Sequence, residues 1–191
     1  MLVVAVAAGV AAQVPDPKAP VRVVMQTELG DIEIEIDVAR APVTAANFLR
    51  YVDAQKYDGG RFHRTVRPDN QTEKPVPIAV IQGASAAAGP EDVYPAIPLE
   101  RTNQTGLRHQ DGTVSMARAG VDTATDQFFI CVGDQPALDF GGRRNPDGQG
   151  FAAFGRVVRG LDVVRKIQLA PAKGETLAPP IGILRVRRVT R

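Results

Sequence analysis

About eight short segments that resemble β-strands, separated mostly by Gly, Pro and Asn, constrain the fold of this chain more than any other feature. The clearest of them is Asp31 to Asp37, in which Ile32, Ile34 and Ile36 alternate with acidic residues. A period of two predicts a strand with one buried face and one solvated face. The acidic residues share the solvated face, so we interpret them as surface charges rather than as metal ligands or an acid–base pair.

The rest of the chain supplies the other strands and two helices. A turn at Leu29-Gly30 predicts that the strand from Val21 pairs with the acidic strand as a hairpin. The other predicted strands are Arg61–Val66, Ile78–Gln82, Thr113–Ala117, Gln127–Val132, Ala152–Val157 and Ile183–Val189. Apolar residues at helical spacing predict a helix from Pro42 and a second helix over Leu161–Leu169. We expect the stretch from Pro171 to Pro180 to be a loop.

Many strands and few helices predict an all-β barrel rather than an α/β sheet. The strands do not alternate with helices, and the sequence contains neither a G-x-G-x-x-G fingerprint nor a phosphate-binding loop. Nucleotide binding is therefore not predicted.

The scarcity of reactive side chains narrows the chemistry further. The 191 residues include two His and one Cys, which leaves too few ligands for a multi-histidine metal centre or a Cys-rich zinc site. The net charge of +2 is too small to predict nucleic-acid binding. We therefore expect no metal and no nucleic-acid partner.

The first twenty residues differ in composition from the rest. Residues 1–12 are entirely apolar, too short to span a bilayer and similar to the core of a secretory signal that lacks its basic leading segment. Residues 13–20 contain three prolines and are typical of a linker. We expect a signal-like segment and linker over 1–20 and a single domain over 21–191. We also expect a periplasmic or secreted protein without stable membrane insertion, with a cytoplasmic location as the alternative.

Five local sequences, taken in order, are similar to those of one enzyme family. They are Phe62-His63-Arg64, Val80-Ile81-Gln82-Gly83, Ser115-Met116-Ala117-Arg118-Ala119-Gly120, Asp126-Gln127-Phe128-Phe129-Ile130 and Leu138-Asp139, with Phe154-Gly155-Arg156-Val157 after them. Together with Asn47-Phe48 on the first helix, they resemble the cyclophilin-type peptidyl-prolyl cis–trans isomerases over roughly residues 23 to 189.

The resemblance implies a closed eight-stranded antiparallel barrel capped by two α-helices, and an isomerase that needs no cofactor. It implies that Arg64 is the catalytic arginine and that Gln82 bonds the substrate backbone. Phe129 and Leu138 would form the proline pocket, and Gln127 would support the groove.

Further substrate contacts follow from the same resemblance. Ala117 and the backbone of Arg118 would pair with the substrate strand, and Val80 and Phe151 would also line the pocket. Phe128 is expected inside the barrel. His63 is expected in the core or hydrogen-bonded, His109 is assigned no role, and Cys131 is expected to be buried.

The sequence also departs from the family pattern at the pocket. Ala79 and Ala137 stand where aromatic residues are usual, and Arg118 stands where asparagine is expected. Two insertions, 67–77 and 140–150, either form the rim of the groove or lie on the surface without a role. These changes predict a more open pocket.

Three functions remain open from sequence. The first is an active prolyl isomerase that assists folding of proline-containing unfolded or nascent polypeptides, acting as a monomer. The second is a catalytically weak chaperone module that binds proline segments. The third, disfavoured because apolar side chains suffice to fill an eight-stranded barrel, is a carrier of a small apolar ligand.

Overall fold

The computed structural model describes residues 19–71 and 76–189. The signal-like segment predicted over 1–20 therefore lies almost entirely outside the described residues. Part of the first insertion, 72–75, lies outside them as well. Within the described part, no helix is both long enough and apolar enough to cross a membrane.

Eight strands form the barrel. They are β1 (Val21–Thr27), β2 (Gly30–Ile36), β3 (Arg61–Val66), β4 (Val80–Ala84), β5 (Thr113–Met116), β6 (Phe128–Cys131), β7 (Ala152–Arg159) and β9 (Thr176–Arg188), all paired antiparallel. Their order is β1-β2-β7-β5-β6-β4-β3-β9, and pairing of β1 with β9 closes the ring. Closure leaves no free sheet edge among the eight strands, and the predicted barrel is confirmed.

The acidic face of β2 is a surface of ion pairs. Glu35 lies 2.8 Å from Arg156 and 3.4 Å from Arg22, and Glu33 lies 3.1 Å from the same Arg22. Ile32, Ile34 and Ile36 on the opposite face are fully buried, as the alternation predicts.

The expected loop over Pro171–Pro180 is wrong. The two-residue strand β8 (Ala172–Lys173) pairs with the start of β9, which begins at Thr176. Leu177 is buried and holds this stretch against the core. Pro179 and Pro180 lie where the β3–β9 register shifts, so their missing N–H groups interrupt no regular ladder pair.

Three helices accompany the barrel instead of the two predicted. The predicted helices are α1 (Pro42–Asp53) and α3 (Leu161–Gln168), and the additional α2 (Thr102–Thr105) has four residues. A single turn has no apolar periodicity, so the sequence pattern could not reveal it. Single 3-10 turns lie at Pro90–Asp92 and Pro136–Leu138.

The buried apolar residues form two clusters. The larger fills the barrel and extends beneath α1 and α3, and its aromatic side chains include Phe62, Phe128 and Phe154. Packing there is close: a Cβ on Gly83 would lie 2.9 Å from the Phe128 ring. Because side chains fill this interior, the apolar-carrier hypothesis is not supported. The smaller cluster lies outside the barrel wall and contains Phe129 and Leu138.

Candidate active site

Strand register brings three of the predicted site residues together. Arg64 on β3 pairs with Gln82 on β4, and Gln82 pairs with Phe129 on β6. Directly opposed residues of paired strands lie on the same face, so all three project from the outer face of the barrel. Phe128, one residue earlier on β6, is fully buried in the interior, as predicted.

A chain of hydrogen bonds runs across this face. Arg64 donates from Nη1 to Gln82 Oε1 (2.9 Å), and Gln82 donates from Nε2 to Gln127 Oε1 (2.8 Å). On its other side Arg64 donates from Nε (2.8 Å) and from Nη2 to Glu175 Oε2. The guanidinium carries five N–H bonds, so two remain for a ligand.

Glu175 reaches Arg64 because of the β8–β9 turn. Gly174 has a φ of +58°, a conformation that favours glycine, and it reverses the chain immediately before Glu175. The backbone N–H of Thr65 donates to the Glu175 carbonyl at 2.9 Å, which fixes this turn against β3. No sequence signal identified Glu175, since it lies 111 residues from Arg64 in a stretch expected to be a loop.

Beside Arg64 a cavity of about 340 Å³ opens on the outer surface. All the predicted site residues except Gln127 line it: Arg64, Gln82, Val80, Ala117, Arg118, Phe129, Leu138 and Phe151. Ile78, Arg144, Asn145 and Pro146 also line it, and the sequence did not single them out. Gln127 does not line this cavity, but its side chain accepts a hydrogen bond from Gln82, which does.

The apolar floor of the cavity is rigidly packed. Phe129, Leu138 and Val80 are buried, and Phe151 meets Phe129 edge to face at 5.3 Å between ring centroids. His109 stacks behind the Phe129 ring at 5.8 Å and 16°. Two rings therefore hold the Phe129 side chain in place.

His109 has a structural part in the site that the sequence reading missed. It is buried, with Nδ1 2.8 Å from Asp139 Oδ1 and Nε2 2.9 Å from Ser115 Oγ. Burial alone would raise the pKa of Asp139, but hydrogen bonds from His109 outweigh it and lower that pKa. The clue available in the sequence was Asp139, directly after Leu138, because a buried carboxylate needs a donor such as a histidine ring.

Arg118 differs most from its predicted role. Its side chain is only 1% exposed and forms a bidentate salt bridge with Asp147, from Nη1 to Oδ2 (2.8 Å) and from Nη2 to Oδ1 (2.9 Å). It also donates from Nε to the Gly150 carbonyl at 2.8 Å. The hydrogen bonds from Arg118 lower the pKa of Asp147 to about 2. The side chain thus anchors the second insertion, whereas pairing of its backbone with substrate stays a prediction.

The second insertion forms part of the rim of the cavity. Its Asn145-Pro146-Asp147-Gly148 turn closes with a 3.0 Å bond from Gly148 N–H to the Asn145 carbonyl. This turn places Arg144, Asn145 and Pro146 on the cavity. Of the two interpretations left open by the sequence, the rim is therefore the correct one for 140–150.

Neither of the other two reactive side chains, His63 and Cys131, lines the cavity. His63 is half-buried, and burial together with Arg64 and Arg61 lowers its pKa. Cys131 is fully buried, and burial raises its thiol pKa well above the ordinary value. Among the described residues, no group of three or more His, Cys, Asp or Glu could hold a metal ion.

The fold and the site together define a closed antiparallel barrel with an arginine beside an apolar pocket on its outer surface. Comparison with known proteins identifies the family. The sequence model of the family described as "Cyclophilin type peptidyl-prolyl cis-trans isomerase/CLD" matches residues 22–188. The chain belongs to this family and is a peptidyl-prolyl cis–trans isomerase.

Individual relatives agree with this assignment. The chain is 37% identical to a peptidyl-prolyl cis–trans isomerase of Acinetobacter baylyi, over 77% of this chain and 71% of the relative. It is 35% identical to peptidyl-prolyl cis–trans isomerase B of Escherichia coli, over 76% and 83%. The fold is similar to the crystal structure of a cyclophilin-type isomerase of Cryptosporidium parvum, with a TM-score of 0.70, 20% identity, and coverage of 90% and 99%.

Proposed function

We propose that Arg64 is the catalytic residue and that the cavity beside it holds the proline ring of a polypeptide substrate. The observation that carries the proposal is the fixed guanidinium at the edge of an apolar pocket. Glu175 and Gln82 hold it from two sides, and two of its N–H bonds remain for the substrate.

The reaction explains why such an arrangement suffices. Rotation about a peptide bond is opposed by a barrier of about 18–20 kcal/mol, because the nitrogen lone pair is shared with the carbonyl. In the twisted state the nitrogen is pyramidal and accepts a hydrogen bond. A donor that meets the nitrogen only in that state lowers the barrier without breaking any bond. Arginine suits this role because its charge and planar geometry are fixed.

Each of the other site residues has a role consistent with its position. Phe129, Leu138 and Val80 receive the apolar proline ring, and Phe151 closes one side. Gln82, held between Arg64 and Gln127, offers polar atoms to the substrate backbone. Ala117, which borders the same cavity, is placed to receive an extended substrate strand.

The substrates we propose are proline-containing unfolded or nascent polypeptides, bound by a monomer. The pocket is on the outer surface of the barrel, where a chain can cross it without threading. A second solved structure of the Cryptosporidium parvum protein, with a TM-score of 0.70, is described as being in the presence of the dipeptide Ala-Pro.

Exchange spectroscopy by NMR on a blocked Ala-Pro peptide tests the catalytic role. Replacing Arg64 by Ala removes the charge-assisted contact, and we expect kcat/KM to fall about 100- to 1000-fold. Arg61→Ala is the matched control, since this exposed arginine lies on the same strand and does not line the cavity. A folded Arg64→Ala variant as fast as the wild type would refute the mechanism. Peptide binding without acceleration by the wild type would indicate the weak chaperone module.

We also propose export to the periplasm or the exterior, on the composition of residues 1–12. N-terminal sequencing of the protein from its own cells tests this. A mature chain that starts after residue 12 supports export, and an intact start in the cytoplasmic fraction contradicts it. Sedimentation of the purified chain tests the monomer.

A further inference from the structure

Arg144 adds a cation to the proline pocket that the reaction itself does not require. It lies on the second insertion, is half-buried, and lines the cavity together with Arg64 and Arg118. No acidic side chain is among the residues that line this cavity in the described part of the chain. Arg64 and Arg144 therefore offer their guanidinium groups beside an apolar floor, whereas the Arg118 side chain is only 1% exposed and is held by Asp147.

The three arginines differ in how their charge is balanced. Arg64 is paired with Glu175, and Arg118 is paired with Asp147. Within residues 19–71 and 76–189, the side-chain hydrogen bonds of Arg144 go only to two uncharged oxygens. Both leave from Nη1, to Gln71 Oε1 (2.9 Å) and to the Val76 carbonyl (2.8 Å).

These two bonds hold the guanidinium, and neither of them brings a negative charge to it. They tie the second insertion to the described ends of the first, so Arg144 is held at the cavity and does not swing freely into solvent. Its pKa is lowered, first by partial burial and also by the nearby charge of Arg64, while Glu175 acts in the opposite direction. Burial and Arg64 both disfavour the charged form of the Arg144 guanidinium. A carboxylate placed beside Arg144 would favour that charged form again.

We propose that Arg144 makes this pocket selective for proline segments that carry a carboxylate next to the proline, such as an adjacent Glu or Asp. The inference rests on the proposed function of the pocket. Nε and Nη2 of Arg144 donate to the substrate carboxylate, and a basic residue at the same position is repelled by the Arg144 guanidinium. This contact is made in the cis, trans and twisted states alike, so it acts on KM more than on kcat.

A peptide series with neutral, blocked ends tests the selectivity. Glu, Gln or Lys is placed directly before or directly after the proline, and exchange rates are measured by NMR and Kd by fluorescence anisotropy. At low salt we expect kcat/KM and affinity for the better Glu peptide to exceed those for its Gln counterpart by about three- to tenfold, with Lys weakest. The preference narrows at high salt because the site is partly open to solvent.

Variants assign the preference to one side chain. Arg144→Gln brings the Glu-to-Gln ratio to about one, and Arg144→Glu shifts the preference toward the Lys peptide, which misfolding would not produce. Arg143→Gln is the matched control: it removes the same charge one residue earlier, from an exposed side chain that does not line the cavity. It should leave the ratio unchanged.

Two results would overturn the inference. One is a wild-type Glu-to-Gln ratio within twofold of one in both positions, and the other is a ratio that survives Arg144→Gln. Failure of the proposed function is a separate outcome, because a protein that accelerates no peptide still reports the carboxylate preference through Kd.

Discussion

The ion pair between Arg64 and Glu175 leads to a prediction about how the catalytic arginine is held. Glu175 accepts from two of the nitrogens of Arg64, and Gln82 accepts from a third. The carboxylate therefore fixes the plane of the guanidinium, and with it the direction of the two remaining N–H bonds. We predict that Glu175 positions Arg64, so that Glu175→Gln slows catalysis although Glu175 touches no substrate.

The size of the effect follows from the exposure of the pair. A hydrogen bond to a charged group contributes about 1.5–3 kcal/mol. The side chains of Arg64 and Glu175 are 35% and 25% exposed, so solvent screening reduces the contribution to about 1 kcal/mol. About 1.4 kcal/mol corresponds to tenfold, so Glu175→Ala, which loses the whole contribution, should lower kcat/KM about fivefold. Glutamine keeps one acceptor oxygen, so Glu175→Gln should lower it about two- to threefold.

Exchange spectroscopy with an Ala-Pro peptide gives the rates, and thermal unfolding confirms that each variant is folded. Asp162→Asn is the control, because it removes an acid from an exposed i,i+4 pair on α3, away from the cavity. A double-mutant cycle separates positioning from general structural damage. In the Arg64→Ala background, Glu175→Gln should have no further effect on the rate.

Two outcomes would refute this reasoning. A Glu175→Gln variant faster than the wild type would mean that the carboxylate restrains the charge of Arg64 instead of orienting it. An equal loss in the presence and absence of the Arg64 side chain would mean that Glu175 acts through the fold.

Three more predictions concern the packing around the pocket. Arg118 lowers the pKa of Asp147 to about 2, so the stability that ionised Asp147 gives the fold is complete above about pH 4 and is lost as pH falls through 2. In urea unfolding, Asp147→Asn should be less stable than the wild type at pH 6, and the difference should shrink toward pH 2. His109→Gln removes the ring behind Phe129, and proline-peptide Kd should rise about three- to tenfold at unchanged secondary structure by circular dichroism; an unchanged Kd would contradict the support role. Cys131 should react with a thiol reagent only after unfolding, since it is fully buried and its pKa is raised; rapid labelling of the native protein would contradict this.

The barrel could be predicted because its signals are local. The alternation of Ile32, Ile34 and Ile36 sets a buried face, and the Leu29-Gly30 turn sets the pairing of the first hairpin. At the other end of the chain the same rule failed, because the β1–β9 register shifts between Gln26 and Thr27. Simple alternation would place Leu184 and Val186 on one face, but Leu184 is 57% exposed, whereas Val186 is buried. A bulge changes which residues face the core, and composition does not reveal its position.

The site was predictable only where residues of paired strands form it. Arg64, Gln82 and Phe129 belong to short sequences that resemble a family, and strand register places them together. Glu175 and Arg144 come from turns whose path depends on the whole fold. No spacing rule connects such residues to the strands that they contact.

The closure of the barrel by its last strand has a consequence for how the chain must be made. Strand β9 pairs with both β1 and β3, so a growing chain that lacks it exposes two unpaired strand edges. Val23 pairs with Arg188, and the ring stays open until nearly the whole domain has been synthesised. Such edges are templates for aggregation. This isomerase therefore depends on protection of its own strand edges during synthesis, because its barrel can close only after β9 has been made.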